Sequence, residues 1–190
     1  MTEEITVLYL DDIYNMLHNL TMKMDADGIV PDLIIGISRG GLVVSRLLSD
    51  ILGINNVQII GIDHYKGIDE TKKEPKLTQD ITTDISGKIV LLVDDVSDTG
   101  KSLKLAVKHL EGKKPKQIVT ATINYKPKSI FKPDYYMQET SDWIVYAWEW
   151  FEFTRLYYNK QYNAGKSVKE IIAKLKEFNI PEIVILEVVK

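Results

Sequence analysis

Apolar positions near the start of the chain fall at three- and four-residue steps. Leu10, Ile13, Leu17, Leu20 and Met24 share one face of a predicted helix, which Gly28 and Pro31 end. The pattern then changes to short unbroken apolar runs that alternate with helical ones. "DLIIGI" (32–37) predicts a strand, "GLVVSRLLSDIL" (41–52) a helix stopped by Gly53, and "VQIIGIDHY" (57–65) a second strand. Together they make a βαβ unit. Further on, "KIVLLVDD" (88–95), "KSLKLAVKHLE" (101–111) and "QIVTATIN" (117–124) repeat the order strand, helix, strand. Between the two units, residues 66–82 hold Gly67 and Pro75, lack periodicity and predict a long flexible loop. All three Trp lie in the aromatic segment 134–159, and a helix near 167–178 and a strand "EIVILEVV" (182–189) are predicted to follow. Strands written as continuous Val, Ile and Leu runs are buried on both faces. The expected class is therefore α/β, a doubly wound, mostly parallel sheet flanked by helices, as a single domain over residues 1–190.

Composition narrows the partners. With 45% hydrophobic and 27% charged residues in 190, the chain is an ordinary globular sequence, long enough for one core with a small flap. No apolar run reaches the ~18 residues of a membrane span, and "MTEEITVLYLDD" is acidic where a signal peptide is basic. A soluble, cytoplasmic protein without a membrane partner is expected. A net charge of -3 offers no basic face for nucleic acid. The absence of Cys excludes disulfides, thiolate metal sites and a Cys nucleophile, leaving His and carboxylates as metal ligands.

The densest chemistry is "VDDVSDTGKSL" (93–103), where Asp94, Asp95 and Asp98 run directly into Thr99, Gly100, Lys101 and Ser102. In open α/β sheets, ligands sit beyond the carboxyl ends of the strands. Gly100 lets backbone N–H groups close around an anion at a helix start, and Thr99 and Ser102 add hydroxyls, so a phosphate fits. It is not a Walker A loop, because the first glycine of that pattern would fall at Asp95. "GISRGG" likewise has the wrong spacing for a dinucleotide fingerprint. The carboxylates call for a polyol or a magnesium ion on the same ligand, and a phosphorylated sugar supplies the hydroxyls and the phosphate together.

This string resembles the phosphoribosyl-pyrophosphate motif of the type I phosphoribosyltransferases: an apolar strand, two acids, then D-T-G-x-[ST]. The resemblance implies that Asp94 and Asp95 hold the ribose hydroxyls, that Thr99, Gly100, Lys101 and Ser102 cradle the 5'-phosphate, and that Asp98 acts near N7 of a purine. "SRGG" resembles the family's pyrophosphate loop, with Ser38, Arg39, Gly40 and Gly41 as ligands and a non-proline cis peptide before Arg39. Residues 66–82 are similar to the hood loop that closes over the reaction centre. Tyr65 matches its start, whereas His64 departs from the Ser common there. Lys126 resembles the lysine that donates to O6 of 6-oxopurines, and lysine, with donors and no acceptor, suits a carbonyl oxygen. Trp143 matches the aromatic that stacks on the base, Ile144 offers backbone groups to the base edge, Glu149 is similar to the acid near magnesium pyrophosphate, and Arg155 to a pyrophosphate-binding arginine. The hood and base-binding segment is expected at about 127–165.

The resemblance thus implies transfer of phosphoribose from phosphoribosyl pyrophosphate to hypoxanthine, guanine or xanthine. Catalytic roles fall on Asp98, Lys126 and Arg39, and Mg2+ is held at Asp94, Asp95 and Glu149. The product is a nucleoside monophosphate, and the assembly a homodimer or homotetramer. One alternative is a non-catalytic regulator of the same fold that senses a phosphorylated ligand, although it would have no use for Lys126, Trp143 and Arg155. Another is an adenine or orotate phosphoribosyltransferase, which Lys126 argues against. Residues 160–190 carry no motif that the resemblance assigns, and completing the hood or forming an interface are both open to them.

Overall fold

The structure, a computed structural model, describes residues 4–65 and 74–189, with the side chains of His64 and Tyr65 outside the description. Two compact units emerge, Tyr14–Thr140 and the pair of segments Met1–Ile13 and Ser141–Lys190. Residues 127–140 of the expected hood segment therefore belong with the larger unit.

The larger unit is built on the predicted strands. β2 (Leu33–Ser38), β3 (Val57–Tyr65), β5 (Ile89–Ser97), β6 (Gln117–Tyr125) and β7 (Tyr135–Glu139) are parallel, and β4 (Glu74–Gln79) adds an antiparallel edge, giving the order β4-β3-β2-β5-β6-β7. Alternation along β2 explains why its run is unbroken. Leu33, Ile35 and Ile37 join one core with Leu103, Ala106 and Leu110 of α3 (Lys101–Glu111). On the other face, Gly36 lies against Gly41 and Ser45 of α2 (Gly40–Leu52), where a Cβ at Gly36 would come within 2.5 Å of the Gly41 carbonyl oxygen. Both faces are covered, so neither tolerates a polar side chain. The stripe of α1 (Leu10–Ala26) is likewise buried at Ile13, Leu17, Leu20 and Met24.

Connectivity fixes where a ligand can sit. From β2 the chain crosses through α2 to β3 on one side, and from β5 it crosses through α3 to β6 on the other. The neighbours β2 and β5 therefore send their loops apart, and the crevice this opens at their carboxyl ends is a topological switch point.

The smaller unit pairs β1 (Ile5–Val7) in parallel with β8 (Trp143–Val145) and adds α4 (Trp150–Asn163), α5 (Val168–Glu177) and α6 (Glu182–Val188). Its core gathers Val145, Ile171, Leu175, Ile180, Val184 and Ile185. Ser167 and Glu170 cap α5 reciprocally.

Two expectations are corrected here. Residues 182–188 form helix α6 and not a strand: Pro181 starts it, and Val184 and Ile185 are buried in the core while Ile183 and Leu186 face water. Local β-preference of Val and Ile yields to packing in a short segment. Within the expected loop 66–82, residues 74–79 form β4, where Pro75 and Leu77 are half-buried between exposed Glu74, Lys76 and Thr78. Pro75 is tolerated because β4 is an edge strand. The remaining expectation for 66–73 lies outside the described residues.

Candidate active site

The loop that leaves β2 and the carboxylates that end β5 are built against each other. The Ser38–Arg39 peptide is cis, and Gly40 and Gly41 follow at the start of α2. Gly40 leaves no room for a side chain, since an added Cβ would collide with the Asp95 carboxylate. A Cβ on Gly41 would stand 2.6 Å from the Val93 carbonyl oxygen. Both glycines are thus demanded by close approach to β5.

The Asp94 carboxylate accepts from the backbone N–H of Gly41 and, at 3.0 Å, from that of Asp95. Burial pushes its pKa well above the ordinary aspartate value of 3.8, and the neighbouring charge of Asp95 adds to the rise. Asp95 itself is buried. Two adjacent acids, Asp94 half-buried and Asp95 buried, form a site that gains from a polyol or a cation.

The second loop, Asp98–Ser102, closes at Gly100, whose φ of 75° is left-handed and which occupies the N-cap of α3 without a capping side chain. The first amides of α3 are thereby presented to an anion. Thr99 adds its hydroxyl, which accepts from the Lys101 N–H at 3.4 Å. A turn that follows β6 braces this loop. The N–H of Lys126 donates to the Ser97 carbonyl at 3.1 Å, and that of Ile130 to the Thr99 carbonyl at 3.0 Å. The Ser97 hydroxyl lies 2.8 Å from that of Ser129 and 2.7 Å from the Phe131 carbonyl oxygen. Gly100 is wedged against the same turn, where a Cβ would meet the Ser129 hydroxyl and the Phe131 N–H. The Lys126 side chain is buried, whereas Asp98 is exposed and pairs with Lys128 at 3.2 Å.

The structure thus brings together Ser38, Arg39, Gly40, Gly41, Asp94, Asp95, the 98–102 loop and Lys126 in one unit. The brace of Ser97, Ser129 and Phe131 has only a faint sequence signal, Pro127 and Ser129 just past a strand. Lys101 also pairs with Glu74 of β4 at 2.6 Å, a partner hidden inside the presumed loop.

The other expected residues lie in the smaller unit. Trp143 is 55% exposed, Ile144 is buried, and the Glu149 carboxylate accepts from the Tyr146 N–H at 3.4 Å. Trp143 and Glu149 line a cavity of ≈ 410 Å³ with Ile5, Val145, Phe153 and Tyr157. Arg155 does not line it; its guanidinium lies over the Phe151 ring at 5.8 Å. Among the described residues no three His, Asp or Glu side chains converge as a ready metal cage. Asp94 and Asp95 suit a hard cation only if ligand or water oxygens complete its shell. The side chain of Tyr65 lies outside the described residues.

Comparison with known proteins agrees with this geometry. The phosphoribosyl transferase domain matches residues 8–154, and the chain belongs to that family. It is 30% identical over 148 residues to a xanthine-guanine phosphoribosyltransferase of Cereibacter sphaeroides, covering 73% of this chain and 83% of that one. With the same-named protein of Gluconobacter oxydans it shares 27% over 118 residues, 61% of this chain and 67% of that one. A purine phosphoribosyltransferase crystal structure from Pyrococcus horikoshii superposes with a TM-score of 0.69 at 34% identity, covering 76% of this chain and 93% of that one.

Proposed function

We propose that this phosphoribosyltransferase moves the 5-phosphoribosyl group of phosphoribosyl pyrophosphate onto a 6-oxopurine, giving a nucleoside 5'-monophosphate and pyrophosphate in purine salvage. The observation that carries the reading is the junction of two loops at the switch point. Gly40 and Gly41 are pressed onto Asp95 and Asp94, beside a left-handed Gly100 turn that opens a helix. One ligand bearing a terminal phosphate, adjacent hydroxyls and a second anionic group satisfies that arrangement, and purine-specific relatives at 30% and 34% identity indicate the acceptor.

In this reading Thr99, Gly100, Lys101 and Ser102 hold the 5'-phosphate, while Asp94 and Asp95 accept from the ribose hydroxyls. Ser38, Arg39, Gly40 and Gly41 receive the pyrophosphate. N9 of the base attacks C1' as the bond to pyrophosphate breaks, and positive charge grows on the sugar ring. Arg39 offsets the charge that collects on the leaving anion. Asp98 takes the proton released from N7, and Lys126 donates to O6 as electron density shifts there. Asp94 and Asp95 are the residues of this unit that would hold Mg2+, which when bound supplies further positive charge for the leaving group. Tyr65, Trp143, Ile144, Glu149 and Arg155 keep the roles the family resemblance gives them as separate proposals, each open to substitution. A cytoplasmic location and a homodimer or homotetramer are proposed with the same warrant, and light scattering tests the assembly.

A base panel tests the activity. Purified protein with Mg2+ and phosphoribosyl pyrophosphate should convert at least one of hypoxanthine, guanine and xanthine to its nucleotide and leave adenine untouched. Failure with all three 6-oxopurines overturns the proposal.

A further inference from the structure

Strand β4 is fastened to helix α3 at both ends by charge. At one end, just past β4, Asp80 accepts from Lys113 at 2.8 Å and lies 2.9 Å from the His109 ring nitrogen. At the other, Glu74 pairs with Lys101 at 2.6 Å. The lengths agree: Glu74 to Asp80 advances ~20 Å along a strand, and Lys101 to Glu111 advances ~15 Å along a helix. Long lysine side chains take up the difference. Between the two ends Leu77 packs against the core that α3 shares with the sheet.

The two fastenings differ in their place in the fold. Asp80 has two cationic partners and a backbone donor, the Ile81 N–H at 2.7 Å. The Glu74 end includes a pair with Lys101, the first residue of α3, which directly follows Gly100 in the turn assigned to phosphate. An ammonium that can reach either a carboxylate or a phosphate divides its time between them. Phosphate carries more charge and is already held by helix amides, so it competes well.

We propose that Glu74 is a positioning residue that tunes phosphate affinity by competing with the ligand for Lys101. The inference rests on the reading of Asp98–Ser102 as the phosphate turn. Glu74 acts as an internal anion: when the turn is empty it holds the lysine toward β4, and a bound phosphate must displace it. Affinity for the ligand is therefore set below what the turn alone would give.

The test is titration calorimetry of the full chain with ribose 5-phosphate at low ionic strength. Glu74→Gln should tighten binding about twofold to fivefold, the range an exposed ion pair spans. The gain should vanish in the Lys101→Met background, where there is no ammonium to release. Glu111→Gln, which removes the same charge from the far end of α3, should leave affinity unchanged. Unchanged or weaker binding by Glu74→Gln overturns the inference, as does a gain that survives in Lys101→Met. If the unaltered protein binds no ribose 5-phosphate, the phosphate turn itself is misassigned and the inference goes with it. A null effect of Glu74→Gln beside normal binding by the unaltered protein removes only the competition. Melting curves for each variant establish that β4 stays docked.

Discussion

The N–H of Gly41 donates to the carboxylate of Asp94, so the turn after β2 and the end of β5 are one rigid object. Each loop alone would be an ordinary connection. Joined, they set two glycine turns and a pair of acids where the sheet order diverges. Catalysis by positioning requires this fixed spacing, because a displacement near 1 Å can cost about 10²-fold in rate.

Gly40 is the most sensitive point of that joint. A methyl there has to displace the Asp95 carboxylate, because the added carbon would occupy its place. Gly40→Ala should lower kcat/KM with the accepted purine about 10²-fold. Circular dichroism melts, run alongside, should show a folded protein of reduced midpoint, separating lost geometry from lost folding. Wild-type turnover in Gly40→Ala would mean that the two loops are not coupled in the working enzyme.

Lys126 should decide the choice of base. Its backbone is tied to Ser97 and its side chain is buried, so little freedom is left to it. Lys126→Met keeps most of the volume and removes the donor. Turnover with hypoxanthine or guanine should fall about 10²- to 10³-fold, the cost typical of losing one donor to a developing negative charge. Any adenine activity should be unaffected. An equal loss with both classes of base would give Lys126 a structural task.

How much of this could be read in the chain depended on range. The 98–102 turn, the two acids and the paired glycines are contiguous strings, so the sequence alone brings them into view. The brace from Ser129 and Phe131 leaves only a faint trace, because Ser97 lies 32 residues before Ser129 and the β5–β6 pairing brings them together. β4 was hidden by its charges, for an edge strand needs only Pro75 and Leu77 turned inward. α6 departs from its local pattern because Val and Ile at 183–185 carry a strand preference that the core of the smaller unit overrides. The cis peptide before Arg39 followed from family resemblance, since nothing in the residues themselves calls for it.

Strong acid should loosen the Asp80 end of β4. Partial burial works to raise the pKa of Asp80, but hydrogen bonds from Lys113, His109 and the Ile81 N–H outweigh it and bring it from 3.8 to about 2. A carboxylate depressed on folding stabilises the native state above its unfolded value. That contribution fades as pH falls from 3.8 through about 2. Urea midpoints of the unaltered protein and Asp80→Asn should therefore differ at pH 6 and converge near pH 2. A constant gap across that range would deny Asp80 its role.

Asp94 carries the opposite sign. Its pKa is raised on folding by burial and by Asp95, so its ionised form is costly in the native state. Below the ordinary value of 3.8 the group is protonated both folded and unfolded, and it costs nothing. As pH rises above that, the unfolded chain ionises first, and stability drains away until the folded pKa is reached. Asn at this position keeps an acceptor for the Gly41 and Asp95 N–H groups and removes the charge. Asp94→Asn should therefore melt higher than the unaltered protein at neutral pH, with the advantage closing toward pH 3.8. Each kcal/mol gained should appear as about 2–4 °C for a chain of this size. The same substitution should weaken phosphoribosyl pyrophosphate binding, because an amide is a poorer partner than a carboxylate for a ribose hydroxyl. A site that holds ligand at the expense of its own stability gives this pairing of outcomes. If Asp94→Asn instead melts lower at neutral pH, the carboxylate is a structural tie and its charge is not stored for the ligand.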